Sequence, residues 1–226
     1  MIIFSSTALY ELNQAYRESE LYYERLQALV QVNEKDIPAT AIDFAALREE
    51  SNNLVAWLYS PNAKINYPVV LADNYDWYFR HLPDNSEGIY GTPFIDIDGD
   101  ANFSKKVNII YGKRLADEKM FGSLPNYQEQ DYFENNPYLY MYTEESNYRI
   151  ELIYGCNIST GEWRGRAFMY EANFIALLGY GKSNTTFKSH VQYQDNDQFI
   201  VLNALEKGYD KQSYFVIGVL REINKS

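Results

Sequence analysis

Apolar residues near the start of the chain recur at spacings of three, four and seven, at Leu9, Leu12, Tyr16, Tyr23, Leu26 and Val30, with Glu, Arg and Gln between them. That period predicts one amphipathic helix over 9–30 with a single buried stripe. Residues 33–40, which include Glu34, Lys35, Asp36 and Pro38, read as the loop that ends it. A shorter helix is expected to begin at Asp43, whose carboxylate can accept from the free amides of a first turn, and to run through Leu47 to Glu50.

Beyond Asn53 the period shortens. Runs rich in β-branched and aromatic residues occupy 54–59, 67–72, 91–96, 107–112, 138–143, 148–157, 199–205 and 214–223. Between them stand turn formers such as Ser60-Pro61-Asn62, Asp84-Asn85-Ser86, Asp98-Gly99-Asp100 and Glu145-Ser146-Asn147. Many short strands at this spacing predict a mainly β fold, a closed or nearly closed barrel. Two helical excursions are expected inside it, at 120–136 and at 170–182, the second from the spacing of Phe174, Leu177 and Leu178. No Pro, Gly or Ser-rich linker and no internal repeat divides the chain. The reading is one structural unit: a helical extension over 1–52 packed on a barrel over 53–226.

Composition agrees with this division. With 226 residues and 46% apolar content the chain can bury one sizeable core, and 22 Tyr and 12 Phe favour pleated, half-buried surfaces. A formal net charge of -11 opposes binding to nucleic acid or to anionic lipid, since both need clustered Lys and Arg. A single cysteine, Cys156, rules out an internal disulfide and any zinc framework built on cysteines. No stretch approaches the roughly 20 apolar residues of a spanning helix. The apolar opening, Met1 to Leu9, lacks the basic flank of a signal peptide and fits the stump of a membrane anchor.

Several blocks in order resemble class B sortases, the surface transpeptidases of Gram-positive bacteria. They are Ile42-Asp43-Phe44-Ala45-Ala46-Leu47, Leu54-Val55-Ala56-Trp57-Leu58 and Ile65-Asn66-Tyr67-Pro68-Val69-Val70, then Asp73-Asn74-Tyr75-Asp76-Trp77-Tyr78-Phe79-Arg80-His81 and Gly91-Thr92-Pro93-Phe94-Ile95-Asp96. Asn108-Ile109-Ile110-Tyr111-Gly112, Met120-Phe121-Gly122-Ser123-Leu124 and Phe133-Glu134-Asn135-Asn136-Pro137-Tyr138 follow. The resemblance covers roughly 42–157 and resumes more faintly over 183–220. It implies a sortase-type barrel of about eight strands with an N-terminal helical extension and a late inserted helix. It also implies a location outside the cell, a tether by an N-terminal membrane helix, and as partner a sorting-signal peptide or another surface protein. No cofactor is implied.

The resemblance also sets a chemical test. A sortase needs a cysteine thiolate to attack a peptide carbonyl, a histidine to manage protons, and an arginine to steady the oxyanion or the bound peptide. The family's histidine follows its Tyr-Gly pair; here Tyr111-Gly112 is followed by Lys113, and an unperturbed lysine, titrating at about 10, is a poor proton shuttle near neutrality. The family's cysteine ends a strand matched here by Val201-Leu202-Asn203-Ala204-Leu205, which puts Leu205, or Ala204 if the register slips by one, at the nucleophile. Counting eight onward, to the family's arginine, reaches Ser213, with Lys211 a nearby cationic substitute. One Cys-to-Ala change would suggest an engineered trap, whereas three replaced roles argue for natural loss. The expected function is a surface protein of sortase type without turnover, a pseudoenzyme with a binding or assembly role; the alternative is a cysteine transpeptidase whose nucleophile was removed or is supplied by Cys156.

Rival sites have simpler readings. Cys156 lies on an apolar run where a cysteine is usually a small buried hydrophobe, and a nucleophilic role would require His81 or His190 beside it. Asp96, Asp98 and Asp100 alternate like calcium ligands, but Ala101 and Val107 stand where an EF-hand loop needs glycine and glutamate, so a solvated acidic turn is the reading. Glu49-Glu50 and Glu144-Glu145 read as solvated faces, and the alternation of tyrosines over 138–142 as a strand with one aromatic face on the core.

Overall fold

A computed structural model describes residues 2–33, 35–37, 40–74, 76–206 and 211–223. Glu34, Pro38 and Tyr75, quoted above, lie outside the described residues, as does Met1.

The apolar runs pair into eight strands: β1 (Leu54–Ser60), β2 (Ile65–Leu71), β3 (Phe94–Ile95), β4 (Val107–Lys113), β5 (Tyr138–Thr143), β6 (Asn147–Ser159), β7 (Gln198–Leu205) and β8 (Gln212–Ile223). They close into a barrel in the order β1-β2-β3-β4-β7-β8-β6-β5, with β2–β3 and β4–β7 parallel and the remaining pairs antiparallel. Closure removes the unpaired sheet edges that would otherwise recruit other chains. Leu58, Met141, Ile150, Leu152, Val201 and Ile217 are fully buried, each stabilising the fold by roughly 1.5–3 kcal/mol.

Among the described residues five α-helices decorate the barrel: α1 (Ile2–Leu29), α2 (Phe44–Glu50), α3 (Gln130–Asn135), α4 (Thr160–Gly165) and α5 (Phe174–Asn184). Asp43 caps α2 as expected, its carboxylate accepting from the Ala46 amide at 3.0 Å. The long connection from β6 to β7 carries both α4 and α5, and it is this connection that walls the site described below.

Several expectations need correction. The first helix starts earlier than Leu9, and its apolar stripe is only half used: Tyr23, Leu26 and Val30 are buried, whereas Leu9, Leu12 and Tyr16 are exposed, Tyr16 meeting the Tyr90 ring in a T-shaped contact. The run over 91–96 yields only the two-residue β3, since Gly91 adopts φ +65 and breaks the strand approach. The excursion over 120–136 begins as turns, then becomes a 3-10 helix at Leu124–Gln128 and α3. The one over 170–182 is a 3-10 turn at Glu171–Asn173 leading into α5. Helix α4 went unforeseen; Ser159 caps it, accepting from the Glu162 amide at 3.0 Å. Strand β5 buries both of its faces, with Leu139 and Met141 on one and Tyr140 and Tyr142 on the other, because α1's trailing loop covers the tyrosine side: Tyr142 Oη donates to the Ile37 carbonyl at 2.8 Å.

Candidate functional site

The carboxyl ends of β4 and β7 lie side by side. In their parallel register Tyr111 faces Asn203 and Lys113 faces Leu205, and on the other flank of β7 Asn203 faces Phe215 while Ala204 faces Tyr214. Ser213, the residue before Tyr214 on β8, reaches Asn203 with its side chain, its Oγ donating to Asn203 Oδ1 at 2.5 Å, which puts it on the Asn203 face of the sheet. Because side chains alternate along a strand, Lys113, Leu205 and Ser213 form a row across three strands on one face, with Tyr111, Asn203 and Phe215 as the row beneath. Ala204 points to the opposite face and is fully buried.

Helix α4 walls this face. Trp163 Nε1 donates to Tyr111 Oη at 3.2 Å, and its ring packs against Phe215 at a centroid distance of 5.2 Å. Opposite, the loop after the 3-10 helix Trp77–Phe79 is pinned by Lys113, whose Nζ donates to the carbonyls of Ile89 at 2.5 Å and Phe79 at 3.4 Å. The tight fit of this corner begins at Gly112, where a Cβ would lie 2.4 Å from the Phe121 ring, so only glycine lets β4 pass.

Two hollows open on either side of Leu205. One, about 360 Å3, is lined by Phe79, Arg80, Lys113, Arg114, Leu205, Glu206 and Lys211. The other, about 410 Å3, has Tyr111, Trp163, Met169 and Tyr170 among its walls, with Leu205 again at the boundary. Ser213 does not reach the first hollow as a donor: it is buried, its Oγ donating to Asn203 Oδ1 at 2.5 Å. Lys211, exposed, does line it. Arg80, Arg114, Glu206 and Trp163 were not singled out from sequence. The only available cue was the run Lys113-Arg114 directly after the Tyr-Gly pair.

Cys156 sits on β6 opposite Phe215, fully buried, with Sγ donating to the Gly181 carbonyl of α5 at 3.7 Å. Burial pushes its thiol up to about 12, so at neutral pH it carries almost no thiolate. Neither histidine is placed to change this. His81 stacks on Trp77 at 3.7 Å with Nδ1 2.7 Å from the Trp77 carbonyl, and His190 is exposed on the extended segment after α5.

Two of the three aspartates, Asp96 and Asp100, spend their carboxylates on their own loop. Asp96 Oδ1 accepts from the Asp98 amide at 3.0 Å, and Asp100 accepts from the amides of Asn102 and Ser104 and from Ser104 Oγ at 2.9 Å. Burial would raise the Asp100 carboxyl, but these bonds outweigh it and hold it below its ordinary value. Among the described residues no three His, Cys, Asp or Glu side chains gather where they could hold a metal ion.

Comparison with known proteins finds likenesses to the chain in sequence and in fold. No family model matches the chain. It is 26% identical to sortase B of Listeria monocytogenes over 177 residues, covering 77% of this chain and 72% of that protein. It is 21% identical to sortase B of Staphylococcus aureus over 222 residues, covering 96% and 91%. The S. aureus sortase B–substrate complex superposes with a TM-score of 0.78 at 19% identity, covering 95% of this chain and 99% of that one. The chain is similar in sequence to these class B sortases and has their fold. Its eight-stranded barrel, its helical extension and its late helix are thus those of the sortase fold. Within that fold the hollows at the ends of β4 and β7 have Lys113 and Leu205 among their lining residues, while Ser213 of β8 is buried behind them; among the described lining residues there is no thiol. Among the described residues no helix is long and apolar enough to cross a membrane.

Proposed function

We propose that this sortase relative is a peptide-binding surface protein without transpeptidase activity. The observation that carries the reading is the row Lys113, Leu205 and Ser213 at the three positions where the resemblance calls for histidine, cysteine and arginine. Leucine has no nucleophilic atom. The lysine ammonium donates to the Ile89 and Phe79 carbonyls, and lysine in place of imidazole supplies no neutral-pH acid–base group. Serine offers no charge to an oxyanion, and its hydroxyl is already bonded to Asn203. Catalytic groups of this kind act as a unit, so loss of all three leaves no partial machinery.

What remains suits recognition. Two hollows meet at Leu205, one charged and one aromatic, and the S. aureus relative was solved as a substrate complex in the same fold. The protein is placed by this reading on the outer face of the membrane, held by an N-terminal anchor, with a sorting-signal-like peptide or another surface protein as partner.

A transpeptidation assay on purified protein with a sorting-signal peptide tests the reading. Product no greater than in a no-protein control is expected. Turnover that disappears in Cys156→Ala would overturn it and establish a cysteine transpeptidase instead.

A further inference from the structure

Among the described residues, the hollow beside Leu205 carries four cations, Arg80, Lys113, Arg114 and Lys211, and one carboxylate, Glu206. That is a surplus of three positive charges on a chain whose formal net charge is -11. Glu206 does not neutralise it: its carboxylate is shared at long range, 3.4 Å from Arg114 and 3.9 Å from Lys211. Lys113 is anchored at the floor by the Ile89 and Phe79 carbonyls, while Arg80 and Lys211 stand exposed at the rim, where their long side chains can turn inward. Guanidinium groups in such a place match carboxylates, which they can grip through two parallel hydrogen bonds.

The other side of Leu205 has the opposite character. Exposed Tyr170 and half-buried Met169 offer an apolar surface over the buried rings of Tyr111 and Trp163, and Asp76 and Arg164 add one charge of each sign at its edge. A ligand spanning both hollows therefore needs an apolar side chain next to negative charge. We propose that this cleft binds an acidic peptide, with its carboxylates among Arg80, Arg114 and Lys211 and an adjacent apolar side chain against Met169 and Tyr170. The proposal rests on the reading of the protein as a peptide binder without turnover, and it names the partner's chemistry.

The experiment is a titration of 15N-labelled protein followed by NMR. The probe is the acetylated peptide Gly-Leu-Glu-Glu-Gly as a free acid, beside three counterparts: glutamates changed to glutamines, the C-terminus amidated, and both. Saturable shifts at the amides of Lys113, Arg114, Leu205 and Lys211 are expected with the free acid. The doubly neutral peptide should bind at least about tenfold more weakly, and added salt should weaken the acidic one. The two singly neutralised peptides assign the charge to side chains or to the C-terminus. Arg80→Glu and Lys211→Glu, both at exposed positions, should each weaken binding roughly threefold to tenfold and leave the rest of the spectrum unchanged.

Equal affinity for acidic and neutral peptides at these residues would overturn the charge proposal while leaving peptide binding intact. Absence of shifts with every peptide would overturn it too. Cleavage of the probe, seen in the same tubes, would instead defeat the underlying reading of a protein without turnover.

Discussion

Lys113, the last residue of β4, stands directly across from Leu205, the last residue of β7, one step beyond Gly112 and Ala204 in the same parallel register. A half-buried lysine thus faces a leucine where a pair of reactive side chains would have to meet. A thiol introduced there by Leu205→Cys would lie beside an ammonium group, which stabilises a thiolate, whereas Cys156 is sealed beneath α5 with its thiol raised by burial. At neutral pH the Leu205→Cys variant should react with iodoacetamide at position 205 at least about tenfold faster than at Cys156, as read by peptide mass spectrometry. Comparable rates would mean that position 205 does not face the cleft.

Tyr23 is a deeply buried polar anchor of helix α1 on the barrel, beside the Gln27–Asn66 bond and the Glu20–Lys119 ion pair. Tyr23 Oη donates to the Gly91 carbonyl at 2.5 Å and lies 3.0 Å from Thr92 Oγ1 in a fully buried setting. Tyr23→Phe leaves the Gly91 carbonyl without this donor, so a loss of about 1–2 kcal/mol is expected. Thermal unfolding measures it, and faster amide exchange in the last turns of α1, with β7 and β8 unaffected, would locate it.

Asp197, at the end of the long connection into β7, fixes that connection to β8. It accepts from the Gln194 amide at 2.8 Å and from Arg221 Nη1 at 2.5 Å. Burial alone would raise its carboxyl, but these two donors outweigh that and hold it below the ordinary range. A group depressed in the folded state stabilises the fold above its unfolded pKa, about 4, and ceases to do so as pH falls through the folded value. Asp197→Asn should therefore lower the melting temperature at pH 7, and the gap to the parent should close in acid below about pH 4. A gap that stayed constant with pH would assign the loss to packing rather than to charge.

The strands were legible because each needs only alternation and a turn former at either end, and all eight lie where the apolar runs do. Helix α2 was legible from Asp43, a cap with a local partner. What failed were features decided by distant packing. Leu9, Leu12 and Tyr16 have the right period for burial, yet all three are exposed, Tyr16 meeting the buried ring of Tyr90. The strand ending in Phe94–Ile95 is cut short by the left-handed Gly91, which closes against the Tyr78 carbonyl. Helix α4 is six residues long and ends in glycine, too short to show a period.

The site divides in the same way. The positions Lys113, Leu205 and Ser213 were reached by counting along motifs, but that they share a face follows only from the registers of β4, β7 and β8. The inward bond of Ser213 to Asn203 and the cations Arg80 and Arg114 depend on which strands are neighbours, which no local pattern encodes.

The most direct measurement is the intact mass of the protein after prolonged incubation with a sorting-signal peptide, since a sortase reaction must pass through a thioester between cysteine and peptide. An unchanged mass is the expected result, in the parent and in Cys156→Ala alike. An added mass equal to the acyl fragment of the peptide, carried on Cys156 and absent from Cys156→Ala, would contradict the claim that the cleft has lost its chemistry.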